Sequence, residues 1–236
     1  MPIESVWIAA LDKRKQMVLD LEPQVEKYLG LNLNTFWSGD GSHEEVPYDR
    51  IDFSRETAER YSNYGAGEGR ARHGNAFLSH RQMFRKILVN NYCNNALILE
   101  EDIFFIEDRW NTIFHQKELQ DLIDDQFVDA VYFGWQAKAY AGDSDDLNEV
   151  EEMWKQGHYY FPRVQHMYNN ISGLHAILIK RRLLDKLARL DMGPVDSYLG
   201  QNIDRYNMYY VCPKIIGSLA SYSNAEGRWQ DRSILT

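Results

Sequence analysis

After Ser5, the run Val6-Trp7-Ile8-Ala9-Ala10-Leu11 is apolar at every position. A strand with one wet face alternates apolar and polar residues. An unbroken run of this length suits a strand covered on both faces, the habit of parallel sheets. The charged stretch Asp12-Lys13-Arg14-Lys15 ends it. Met17, Leu19, Leu21, Val25, Tyr28 and Leu29 then recur mostly at intervals of three or four, the spacing of one helix face. Asn34-Thr35-Phe36-Trp37 reads as a short second strand before the turn Ser38-Gly39-Asp40-Gly41. Strand, helix, strand within forty residues is a βαβ opening, so the expected class is α/β with a mostly parallel central sheet flanked by helices.

The rest of the chain continues the pattern. Helical spacing starts near Ala76, with Phe77, His80, Phe84, Ile87 and Leu88 along one side, and again at roughly 115 to 125 and at 181 to 190. Ala96–Leu99, Ala130–Trp135, Leu174–Ile179 and Met208–Cys212 read as strands, the last of these as the final one. Residues 42 to 72 are polar and resist assignment, and Gly65-Ala66-Gly67-Glu68-Gly69-Arg70 is expected to be tightly turned or mobile. A segment ordered by its ligand fits it better than a phosphate loop, because no strand precedes it and the glycine spacing is wrong. At 236 residues, with 44% apolar and 13% aromatic content, one large domain fits and a disordered chain does not. Two cysteines, Cys93 and Cys212, are too few for a disulfide framework or a cysteine-built zinc site. No apolar run approaches the roughly 20 residues of a membrane span. No signal peptide is legible either, so a soluble cytoplasmic protein is the expectation.

The net charge of −9 argues against a nucleic-acid partner, since phosphate contact rests on Lys and Arg. That charge is unevenly spread. Residues 100 to 152 hold 16 acids against three bases, six of the acids lying between Asp143 and Glu152. Its first three members, Glu100-Glu101-Asp102, follow the apolar run Leu97-Ile98-Leu99 directly and precede Ile103-Phe104-Phe105. Ligands of open α/β sheets bind outside the carboxyl ends of the strands. Carboxylates clustered there repel one another, and a divalent cation relieves the repulsion while bridging to phosphate oxygens. Glu100 and Asp102, two apart in extended chain, would point the same way.

Ala76-Phe77-Leu78-Ser79-His80 with its helix, followed by Ala96-Leu97-Ile98-Leu99-Glu100-Glu101-Asp102-Ile103-Phe104-Phe105, resembles glycosyltransferase family 25, the lipooligosaccharide and procollagen galactosyltransferase family. Further pieces lie in the right order: Val6 to Arg14 is similar to the family's first strand and leucine-aspartate-basic turn, and Trp37 to Gly41 to its aromatic-x-x-Asp-Gly turn. Val131-Tyr132-Phe133-Gly134, Ser172 to Ile177 and Pro194-Val195-Asp196 resemble three later blocks. The chain departs from the family where Gly-Cys becomes Asn75-Ala76 and where Glu-Asp-Asp becomes Glu100-Glu101-Asp102.

The resemblance implies a single GT-A type domain over 1–236, with the nucleotide-sugar half at about 1–110 and the acceptor half at about 111–236. It implies Mn²⁺ or Mg²⁺ held by Asp102 with Glu100, and a UDP-sugar donor. Asp12, Ser79, His80, Glu100 and Glu101 would contact that donor. Arg70 and Arg72 would meet diphosphate only if the glycine-rich segment closes. Asp196 would be the base of an inverting transfer of galactose or glucose to a hydroxyl acceptor, on an oligosaccharide, a lipid-linked glycan or a protein glycan. Tyr159, Tyr160, Phe161, Tyr168, Tyr222 and Trp229 are candidates for stacking on sugars. The alternatives are a non-catalytic carbohydrate-binding protein on the same fold and a DNA-base-modifying glycosyltransferase. A sugar-nucleotide pyrophosphorylase is disfavoured, because Asp12-Lys13-Arg14-Lys15 contains no glycine. Oligomeric state is left open.

Overall fold

The computed structural model describes residues 3–38, 60–62, 68–89, 93–137, 151–164, 171–219, 221–223 and 228–230. Strand β1 (Ser5–Leu11) leads through a 3₁₀ turn (Asp12–Arg14) into helix α1 (Lys15–Leu29) and strand β2 (Leu33–Ser38). Helix α2 (Glu68–Val89), strand β3 (Asn95–Leu99) and the short strand β4 (Ile103–Phe105) follow. A helical segment runs from Glu107 through a five-residue π-helical turn, Trp110–Phe114, to helix α3 (Lys117–Asp124). Then come β5 (Ala130–Ala137), β6 (Ile171–Lys180), α4 (Arg181–Leu187), α5 (Val195–Gln201) and β7 (Met208–Tyr210). Three short strands follow: β8 (Ile216–Ser218), β9 (Ser221–Ser223) and β10 (Arg228–Gln230).

Among the described residues the central sheet has six strands, in the order β2-β1-β3-β6-β5-β7. β1 pairs in parallel with β2 and β3, and β5 with β7, whereas β6 runs antiparallel to both its neighbours, β3 and β5. The protein is thus mixed α/β with a mostly parallel sheet, as expected, and one strand is reversed at its centre. β3 shows why its run is unbroken. Ala96 and Ile98 enter one hydrophobic core, while Leu97 and Leu99 enter the core on the other face. Helix α1 buries Val18, Leu21, Val25 and Leu29, and stops at Gly30, whose φ of 64° is left-handed and whose amide donates to the Glu26 carbonyl at 2.9 Å. Gly134 in β5 is required by a close approach: a Cβ there would stand 2.8 Å from the backbone oxygen of Ile216 in β8.

Several expectations need correction. Helix α2 begins at Glu68, not near Ala76, so Glu68-Gly69-Arg70 is helical rather than a turned or mobile loop. The Arg70 guanidinium donates from Nε to the Ser62 carbonyl at 2.7 Å. Gly65-Ala66-Gly67 lies outside the described residues, as do the turn Gly39-Asp40-Gly41, the acids from Asp143 to Glu149 and the side chain of Arg72. Met208–Tyr210 is not the last strand, since β8, β9 and β10 follow it. β9 and β10 form an antiparallel pair that places Trp229 across from Tyr222 in register. No helix among the described residues is long and apolar enough to cross a membrane.

Candidate functional site

The acidic triplet sits where β3 leaves the main sheet. The amide of Glu100 still donates to the carbonyl of His175 in β6, at 3.1 Å. The chain then turns through Glu101 and Asp102 and re-enters extended structure as β4, which pairs antiparallel with β8. The Asp102 carbonyl accepts from the Leu219 amide at 2.6 Å, so both ends of the turn are tied to neighbouring backbone. Beneath β4 an aromatic stack supports the exit: Tyr28 on Phe105 at 4.7 Å, Phe105 edge-on to Trp110 at 4.8 Å, and Trp110 on Phe114 at 4.1 Å. Because β1 and β3 are parallel neighbours, the turn after β1 reaches the same edge as the acids.

The side chains of the triplet divide. Glu100, Asp102 and His175 each present a ligand atom, and the three atoms lie within 4.8 Å of one another. Glu100 Oε2 and His175 Nδ1 are in direct contact. Asp102 and His175 are buried, and Glu100 is partly open. Two carboxylate oxygens and one imidazole nitrogen are a donor set that a divalent cation can use, with positions left over for a ligand. Glu101 turns instead towards Arg14, whose Nε lies 3.7 Å from its Oε1. Desolvation, reinforced by the charges of Asp102 and Glu100 and opposed by Arg14, pushes the Glu101 carboxyl up to about 7.

The remaining candidates are spread over other elements. Ser79 is buried and its hydroxyl donates to the Asn75 carbonyl at 2.9 Å. His80 Nδ1 lies 2.8 Å from the Ala76 carbonyl. Both side chains therefore bond back to their own helix, α2, which packs on β1, β2 and α4. Asp12 opens the turn after β1, but its side chain lies outside the described residues. Asp196 is the second residue of α5, which packs on β6, the strand that carries His175. Its Oδ1 accepts from the Ser197 amide at 2.8 Å. Burial, and after it the charge of Asp196, raises the pKa of the Tyr132 hydroxyl, placing that carboxylate within electrostatic reach of β5. Among the proposed sugar-stacking aromatics, Tyr159 and Phe161 pack against the core, 6.0 Å apart, and Tyr160 is exposed. Tyr168 and the side chains of Tyr222 and Trp229 lie outside the described residues.

His175 is the member of this cluster that sequence reasoning missed. The available signal was a polar interruption in an otherwise apolar strand, Leu174-His175-Ala176-Ile177-Leu178-Ile179.

No protein-family model matches the sequence, and no curated protein matches it. Among solved structures the chain is similar to a glycosyltransferase involved in the glycosylation of the major capsid of PBCV-1, at 12% identity and a TM-score of 0.49, over 95% of this chain and 97% of that one. It is also similar to the protein A197 from STIV, at 11% identity and a TM-score of 0.47, over 97% and 94% of the two chains. A third is the galactosyltransferase LgtC in complex with donor and acceptor sugar analogs, at 12% identity and a TM-score of 0.39, over 88% and 73%.

Proposed function

We propose that the protein is a cation-dependent glycosyltransferase of GT-A type that moves a hexosyl group, galactose or glucose, from a UDP-sugar to a hydroxyl acceptor on a glycan. The observation that carries this reading is the convergence of Glu100, Asp102 and His175 at the carboxyl edge of the sheet. Nothing in folding requires two carboxylates and a largely buried histidine to share one spot there, whereas a cation bound to a diphosphate does. The sequence blocks shared with family 25 point to the same chemistry. In this reading residues 1–110 hold the nucleotide, and residues 111–236 hold the acceptor.

Asp102, Glu100 and His175 would hold Mn²⁺ or Mg²⁺, and the imidazole nitrogen suits Mn²⁺ better. When bound, the cation supplies Lewis-acid neutralisation of the charge that develops on the leaving diphosphate. Asp196 takes the proton from the acceptor hydroxyl as its oxygen bonds to the anomeric carbon and the bond to the β-phosphate oxygen breaks. The electron pair of that broken bond leaves with the nucleoside diphosphate. One base and no covalent intermediate make the reaction inverting. Tyr132, within electrostatic reach of Asp196, belongs to the base's side of the site.

The test is a panel of UDP-, GDP-, ADP- and dTDP-sugars incubated with the protein, with and without Mn²⁺, and read by nucleoside diphosphate release. Release from one donor, dependent on the cation, is expected. No release from any donor in either condition contradicts the reading.

A further inference from the structure

Arg14 ends the Asp12–Arg14 turn at the carboxyl end of β1, on the sheet edge that carries the acids. Its Nε lies 3.7 Å from Glu101 Oε1, an ion pair longer than a hydrogen bond. Its Nη1 lies 3.0 Å from Met17 Sδ, a weak acceptor. Both side chains of the ion pair are largely shielded, at 14% and 18% exposure, where solvent screens charge poorly. The guanidinium is therefore held beside the acidic turn, at the edge where a ligand of the sheet would sit.

A nucleoside diphosphate entering this turn meets three carboxylates. The free diphosphate also carries one negative charge more than its sugar ester. A single dication leaves that charge unmatched. A guanidinium presents a planar fork of donors that fits phosphate oxygens.

We propose that Arg14 binds the diphosphate of the nucleotide, and that Glu101 is a positioning residue that holds the guanidinium over the turn until the nucleotide arrives. This inference rests on the donor reading given above. It assigns the triplet two tasks: Glu100 and Asp102 face the cation site, and Glu101 faces the arginine.

The test is calorimetric titration at saturating Mn²⁺ of UDP, GDP, ADP and dTDP, each compared with its monophosphate. Wild type, Arg14→Gln, Arg14→Lys and Glu101→Gln are used, and Mn²⁺ binding alone is measured for each. For the nucleotide that wild type binds best, Arg14→Gln is expected to weaken the diphosphate at least about tenfold, the scale of one charged hydrogen bond. The monophosphate and Mn²⁺ are expected to change less than about threefold, and Arg14→Lys to recover part of the loss. Glu101→Gln is expected to weaken the diphosphate by less than Arg14→Gln does; unchanged affinity, or a loss larger than that of Arg14→Gln, removes its positioning role. Unchanged diphosphate affinity in Arg14→Gln overturns the inference and leaves the donor reading standing. An equal loss for mono- and diphosphate, or a matching loss of Mn²⁺ binding, overturns it as well. Failure of wild type to bind any diphosphate overturns the donor reading and this inference with it.

Discussion

Glu100 and His175 meet twice: the amide of Glu100 donates to the carbonyl of His175 at 3.1 Å, and Glu100 Oε2 touches His175 Nδ1. The backbone bond extends the β3–β6 ladder one residue past the last paired position, Leu99 with Ala176. The side-chain contact orients the imidazole next to Asp102. A carboxylate on one ring nitrogen fixes the tautomer and the ring plane.

His175→Ala is therefore expected to weaken Mn²⁺ binding by at least about 10-fold, the lower end of what losing a partner that merely orients a metal ligand costs. Mn²⁺ titration followed by electron paramagnetic resonance reads this directly. Affinity equal to wild type would remove His175 from the site.

Asp196→Asn separates binding from chemistry. The amide preserves the shape at the start of α5, where Oδ1 accepts from Ser197, but cannot accept the acceptor's proton. Transfer is expected to fall by about 10²- to 10⁴-fold, the span of general base catalysis, with donor affinity within a factor of about three of wild type. Equal loss of donor binding would place Asp196 on the donor side or give it a structural role.

Asp129, 1% exposed, accepts from Nε and Nη2 of Arg182 at 2.8 Å each and from the Asn207 amide at 2.9 Å. The arginine is itself mostly solvated, so the larger loss in Asp129→Ala is the acceptor of the Asn207 amide, with the charged pair adding less. A cost of about 2 kcal/mol is expected. For a chain of this size that corresponds to a fall in Tm of about 4 to 8 °C. Nucleotide binding below the transition should be unchanged, and a change there would contradict a purely structural role.

Lys214, 6% exposed, is lowered to about 8, by burial first and then by the charge of Arg109, with Glu151 opposing. Between about pH 8 and the ordinary value of 10.5 the unfolded chain binds a proton that the folded chain has lost. Stability contributed by this group therefore rises with pH across that window. Urea midpoints measured from about pH 7.5 to 10.5 should rise more for wild type than for Lys214→Met. Parallel curves would show that Lys214 is not perturbed.

Much of this was legible in the sequence, and the exceptions have physical causes. Val6–Leu11 and Ala96–Leu99 show as strands because both of their faces are buried, which leaves no polar residue to blur the run. The acids after Leu99 stand out because an apolar strand ends in three charges at once. The reversal of β6 does not show, since side-chain alternation is the same in either chain direction. His175 joins Glu100 only through that antiparallel pairing, so its place was hidden with it. Helix α2 starts earlier than its periodicity shows because Gly69 and Gly74 are poor helix formers, and tertiary packing overrides that preference. The separation of Glu101 from its neighbours depends on Arg14, which the sequence shows only as part of a basic run.

Glu100, Asp102 and His175 are proposed to hold a cation for a nucleotide sugar. The most direct test is Mn²⁺-dependent binding of UDP-galactose and UDP-glucose to wild type and to Asp102→Ala, measured by calorimetry on folded protein. Wild type is expected to bind one of them only with Mn²⁺ present, and Asp102→Ala to lose this binding. Binding by Asp102→Ala with wild-type affinity and the same Mn²⁺ dependence would contradict that assignment.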